Sequence, residues 1–217
     1  MAVNHLTTWQ VKPGSLPEVV ARMGAAKKIH ERLGGKVRAW QLTTAGVNVG
    51  RVAYALRFAD YPALASFAKK AAADAEWLKM QSQQVDGASL FSQGISSELP
   101  GLEYSPLAAG GGPRVRAVRL WQVEKGRSQE AVALLAELKP HVQRLGGRLS
   151  AVQLVFVGPA AGQLANASEF ADLKAWAAFQ HKSATDTAFQ AVIQTRVLSA
   201  GSPLTLLSAT LLTEIAI

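Results

Sequence analysis

The amino-acid sequence repeats itself. Residues from about 5 to 96 match residues from about 117 to 208 at a constant offset of about 112. Trp9-Gln10-Val11 returns as Trp121-Gln122-Val123, and Arg32-Leu33-Gly34-Gly35 as Arg144-Leu145-Gly146-Gly147. Phe58-Ala59-Asp60 returns as Phe170-Ala171-Asp172. Roughly a third of the aligned positions are identical, the mark of one supersecondary unit used twice. The repeat predicts units at 1–104 and 114–217, joined by a linker at 105–113 that contains Ala108-Ala109-Gly110-Gly111-Gly112-Pro113.

Each half reads strand, helix, strand, strand, helix, strand. In the first, His5–Val11 has strand composition and Pro13-Gly14 breaks it. Ser15 and Glu18 have the spacing of a capping box for the helix that follows. Leu16, Val19, Val20, Met23 and Ala26 recur at helical spacing until Gly34-Gly35 ends the run. Val37–Thr44 and Arg51–Phe58 are strands around a glycine-bearing hairpin at 45–50. A second helix starts at Asp60 or Tyr61, and Ser89–Leu99 is the last strand. The second half gives strands at Val115–Val123, Leu149–Val157, Gln163–Phe170 and Leu204–Ile215. Its helices are Ser128–Leu145 and Asp172 to about Thr195, the latter with a break. The βαββαβ order is ferredoxin-like. The fold class expected is therefore α+β. Two four-stranded antiparallel sheets pack face to face as an intrachain pseudo-dimeric barrel, with the helices outside.

Composition narrows the functional classes. Of the 217 residues, 49% are hydrophobic and 18% charged, enough apolar material for a packed core. No apolar run reaches the ~20 residues of a membrane span, and the N-terminus lacks a secretion signal. The expectation is a cytoplasmic protein without a membrane partner. With no cysteine there is no disulfide, thiolate metal site or cysteine nucleophile. The net charge of +8 is spread over helices (Lys27, Lys28, Arg32, Lys36, Lys69, Lys70, Lys79) and lacks an RNA-binding aromatic signature, so no nucleic-acid partner is expected.

The stretch Phe58-Ala-Asp-Tyr-Pro-Ala-Leu-Ala-Ser-Phe, ending in Ala73-Asp74-Ala75-Glu76-Trp77, resembles the dimeric α/β-barrel superfamily. That group includes antibiotic-biosynthesis monooxygenase (ABM) domains, stress-responsive A/B-barrel proteins and NIPSNAP-like proteins. Ala75 stands where the family usually has proline. The resemblance covers nearly the whole chain, twice. It implies the barrel and leaves the activity open, because the fold hosts many functions. Some members bind haem through a helix histidine, which makes His181 the haem candidate here, ahead of His30 and of His141, which follows Pro140.

Positions kept in both halves are read as packing or register: Gln10/Gln122, Gln41/Gln153, Trp9/Trp121 and Asp74/Asp186. Positions that differ are read as candidates for function. Period two puts Val52, Tyr54, Leu56 and Phe58 on one face, and Leu164, Asn166, Ser168 and Phe170 on its counterpart. Buried amides and hydroxyls there need partners. Thr7 becomes Arg119, Lys69 becomes His181 and Leu64 becomes Trp176. Arg119, Asn166, Ser168, His181 and Trp176 are therefore the ligand-pocket candidates, between sheet and helices of the second half. The bland alternative is a solvated strand end with His181 exposed. Arg57 becomes Glu169, and the two would pair if both lie near the pseudo-axis.

No P-loop, dinucleotide fingerprint, nucleophile elbow, paired-carboxylate motif or metal-ligand cluster is present in the sequence, so no metal is assigned and no cofactor beyond the haem alternative. Two functions remain. One is a cofactor-independent, ABM-like monooxygenase or isomerase acting on a small apolar or aromatic molecule. The other is a non-catalytic small-molecule-binding or stress-response barrel. Further homo-oligomerisation is compatible with either.

Overall fold

The computed structural model describes residues 1–44, 50–83, 86–105, 107, 112–156 and 158–217. The expected hairpin at 45–50 and the linker core at 106–111 fall largely outside the described residues, as does Val157. The first unit runs β1 (Val3–Val11), α1 (Leu16–Arg32), β2 (Lys36–Thr44), β3 (Arg51–Phe58), α2 (Tyr61–Ala73), α3 (Ala75–Ser82) and β4 (Ala88–Glu98). The second runs β5 (Val115–Val123), α4 (Ser128–Arg144), β6 (Arg148–Phe156), β7 (Leu164–Phe170), α5 (Leu173–Thr185), α6 (Thr187–Val192), a π-helical turn at Ile193–Val197, and β8 (Leu204–Ile215). The eight strands form one closed antiparallel barrel in the order β1-β3-β2-β8-β5-β7-β6-β4. Two ferredoxin-like sheets therefore face each other, and their edges are stitched by β2–β8 and β4–β6.

Among the described residues, the stitching is confined to one end. β2 pairs with β8 only from Leu211 onward, and β4 with β6 only from Ile95 onward. Among the described residues, the first halves of β4 and β8 have a ladder partner on one side only. Each carries a bulge at the same place, Phe91 and Leu207, opposite Thr8/Trp9 and Leu120/Trp121.

The core is double. Phe58, Leu56, Tyr54 and Val52 of β3 pack with Ile29, Met23, Val19 and Phe67 of α1 and α2. Phe170 and Leu164 of β7 pack with Leu134, Leu135, Val142 and Phe179 of α4 and α5. The period-two reading thus gives the helix side of both strands correctly. The Gly-Gly repeat has two separate causes. Gly34 and Gly146 take φ +105° and +97°, the left-handed turn that ends each helix. Gly147 sits under Phe170: a Cβ there would come within 2.8 Å of the ring. The tails are exchanged. Leu99 and Leu102, just after β4, are buried in the core of the second unit, whereas Ile215 and Ile217 pack against that of the first.

Several local expectations are corrected. Ser15 occupies the N-cap of α1 without a side-chain cap bond, because its side chain is packed against Gly87, where a Cβ would be 2.6 Å away. The second helix of each unit breaks at an aspartate. Asp74 and Asp186 cap the next helix by accepting from the backbone N–H of Trp77 and Phe189. α4 runs through Pro140, in keeping with the helix expected at Ser128–Leu145. The offset is not constant: Trp9 faces Leu90 while Trp121 faces Leu206, so the last strands correspond at an offset of 116. Four extra residues lie between Asp186 and β8, in the segment that includes the π-helical turn.

Candidate functional site

The helix side of the second sheet brings three of the five candidates together. Arg119 on β5 is directly opposite Asn166 on β7, and Ser168 follows on the same face opposite Ala117. Asn166 and Ser168 are buried at 3% and 2% exposure. Asn166 Oδ1 accepts from Trp121 Nε1 at 2.5 Å, which satisfies the buried indole. Arg119 is half-buried and makes no hydrogen bond or ion pair with any described residue. Burial holds its guanidinium below the ordinary arginine value. A desolvated cation without a counterion is a poor structural device and a ready partner for an anionic oxygen.

The other two candidates separate. Trp176, on α5, is half-buried against the same apolar core. His181 is exposed on α5 and lies apart from the group, as the bland reading had it. The α5–sheet interface is closed by Phe179 and Phe170, at 5% and 0% exposure. The residues present therefore do not fit a haem held by His181, and no chemistry is routed through one. Among the described residues no group of three or more His, Cys, Asp or Glu could hold a metal ion.

The first unit resolves the same face differently. Tyr54, the counterpart of Asn166, shares a 2.9 Å hydrogen bond with His30 Nδ1. His30 is 5% exposed and ringed edge-on by Phe67, Trp77 and Tyr54. Burial first, and His5 second, push its pKa down to about 4. Burial likewise raises the Tyr54 hydroxyl. The pair is neutral and closed on itself.

The lumen side of the strands holds charges that the helix-side comparison overlooked. Arg57 and Glu169 do not pair. Arg57 grips Glu98 through two bonds of 2.6 and 2.9 Å. Glu169, 2% exposed, takes Arg116 at 2.7 Å and, across the two units, Arg38 at 3.0 Å. Arg38 also pairs with Glu214 and donates to the Tyr104 hydroxyl. Both guanidiniums lie within 5 Å of the ring centroids of Trp40 and Tyr104. The same asymmetry test would have found this cluster, since Asn4/Arg116, Arg38/Ser150 and Trp40/Val152 all differ between halves. Tyr104 lies just past the repeat and carried no such signal.

Two open clefts flank this end. One, of about 520 Å³, is lined by Glu103, Tyr104, Lys139, Arg148 and Glu169. The other, of about 760 Å³, is lined by Lys27, Val37, Arg38, Glu214 and Ile217. They are counterparts, with Lys27 and Lys139 matching at the repeat offset. Their lysines are tied to the tails, through Ile217 O and Gly101 O.

No family model matches the chain, and no curated protein does. Solved structures do. An inferred monooxygenase from Fusobacterium nucleatum superposes with a TM-score of 0.62 at 8% identity, covering 98% of this chain and 91% of that one. An anthrone oxidase-like protein gives 0.58 at 12% identity, over 99% and 92%. A chlorite dismutase from Candidatus Nitrospira defluvii gives 0.50 at 8%, over 99% and 91%. The chain has the dimeric α/β-barrel fold. At these identities the likeness concerns architecture alone, and this dimeric α/β barrel contains both of its units in one polypeptide. Among the described residues no helix is long and apolar enough to cross a membrane.

Proposed function

We propose that the chain is a small-molecule enzyme of the cofactor-independent monooxygenase type, with its site between sheet and helices of the second unit. The unpaired, desolvated Arg119 beside buried Asn166 and Ser168 carries this reading. The fold it shares with an inferred monooxygenase and an anthrone oxidase-like protein supports it. The substrate is a small apolar or aromatic molecule with an oxygen that becomes anionic. Arg119 binds that oxygen and stabilises the carbanion formed when the adjacent C–H proton leaves to water. Dioxygen is the oxidant. It adds to the carbanion, a proton completes the hydroperoxide, and loss of water leaves the new carbonyl. One oxygen atom enters the product and the other leaves as water. Trp176 supplies apolar wall.

Dioxygen uptake with anthrone as the probe tests this. The wild-type chain is expected to consume one dioxygen per anthrone and release anthraquinone and water. Arg119→Gln lowers kcat/KM at least tenfold, and His181→Ala leaves it unchanged. Wild-type rates in Arg119→Gln would remove the site from this face. Anthrone binding without oxygen uptake would support the non-catalytic small-molecule barrel instead.

A further inference from the structure

The barrel lumen is lined differently from the helix-side face. Its wall is built of small residues at repeated positions: Ala53 and Ala55 on β3 match Ala165 and Ala167 on β7, with Gly94 on β4. Small side chains fill less of the interior than the larger residues that usually close an eight-stranded barrel. Lumen-side residues show it. Leu6 is 41% exposed although it points away from the helices, and Ala55, Val118, Leu120, Val152, Ala165 and Ala167 are all half-buried.

The stitched end is chemically different. Four arginines (Arg38, Arg57, Arg114, Arg116) face three glutamates (Glu98, Glu169, Glu214), with Arg148 beside them. Positive charge is in excess. Burial and the charge of Arg116 together hold Arg38 below its ordinary value. Trp40 is 4% exposed and its indole Nε1–H has no hydrogen-bond partner. Arg38 Nη2 is also without an aligned bond, though it lies 2.9 Å from Glu214 Oε1. A buried orphan donor amid surplus cations calls for an acceptor.

We propose that the lumen binds a small amphipathic monocarboxylate, its tail along the alanine wall and its carboxylate on the Trp40 indole N–H beside Arg38 and Arg116. The site uses none of the residues of the helix-side site, so either can fail without the other. Octanoate is the probe. In ¹⁵N-resolved spectra of the full chain, the Trp40 indole peak, assigned by its disappearance in Trp40→Phe, shifts saturably on titration. By isothermal titration calorimetry, which needs no indole reporter, Trp40→Phe and Ala167→Leu each raise the octanoate Kd at least tenfold, while Arg119→Gln leaves it unchanged. Thermal melts confirm that each variant folds. Should Ala167→Leu fail to fold, Ala55→Leu from the opposite sheet replaces it, and Trp40→Phe stands independently. The proposal is overturned by an indole peak unmoved at millimolar octanoate, by an exchange cross-peak to water alone, or by binding abolished through Arg119→Gln and spared by the lumen variants.

Discussion

The two helix–sheet interfaces are built from the same template and end in opposite electrostatic conditions. In the first unit Tyr54 and His30 satisfy each other, and aromatic rings close around them. In the second, Val142 takes the place of His30, Asn166 turns to Trp121, and Arg119 is left with its charge uncompensated. A duplicated chain can settle one copy as scaffold while the other keeps a costly, reactive group. The difference between copies is therefore more informative than either copy alone.

The largest test of this comparison asks whether the scaffolds are equivalent. Phe58→Ala and Phe170→Ala each empty a site 2% and 0% exposed, and each is expected to cost ~3–5 kcal/mol in denaturant titrations. A cost well below this range in one unit would show that its core relaxes where the other's cannot. The next concerns the first unit alone. His30 has a folded pKa of about 4, below the ordinary 6.5. Above pH 6.5 both folded and unfolded chains hold it neutral. As pH falls from 6.5 to 4 the unfolded chain binds a proton that the folded chain refuses, so stability is lost across that window, by ~2–3 kcal/mol. His30→Gln should remove this slope. Comparing wild type and variant isolates it from the carboxylates, and superimposable pH curves would show that the buried ring titrates normally.

A smaller effect has the opposite sign. Arg119→Thr, which installs the residue of the first unit, is expected to raise stability by ~1 kcal/mol, because it removes a desolvated charge with no partner. On the proposed function, the same change should also abolish the oxygen uptake assayed with anthrone. A loss of stability would mean that Arg119 is structurally compensated after all. The smallest expected effect is a similarity. Arg32–Asp74 and Arg144–Asp186 repeat one exposed ion pair on a capping aspartate, and the arginine lowers each carboxylate's pKa. Asp74→Asn and Asp186→Asn should lower Tm slightly and equally, with the cap retained.

The sequence announced the fold because period-two and helical patterns are local, and because the repeat printed each of them twice. Phe58 and Phe170, Gly34 and Gly146, and the strand order all follow from it. It was blind where long-range packing decided. Ser15 has the residue type of a cap, but Gly87, seventy residues on, takes its side chain. The four-residue shift before β8 is hidden because Ser and Leu recur at either offset: Ser208 matches Ser96 at 112 and Ser92 at 116. At the candidate site, Arg119, Asn166 and Ser168 were legible as departures from an apolar face. His181 was misplaced because helical periodicity alone put Lys69 and its counterpart on no particular side. Arg57 and Glu169 are at matching positions, yet the stagger at the seams delivers each to a different partner.

The exchanged tails bear on how the molecule could be taken apart. Leu102, fully buried in the second unit, belongs by sequence to the first, and Lys27 of the first unit holds the chain's last carbonyl. A single nick near residue 108 would cut the polypeptide and release nothing, since each fragment completes its neighbour's interior. The same geometry makes the chain a natural split reporter: fragments ending and beginning there should be insoluble apart and recover the soluble barrel when co-expressed.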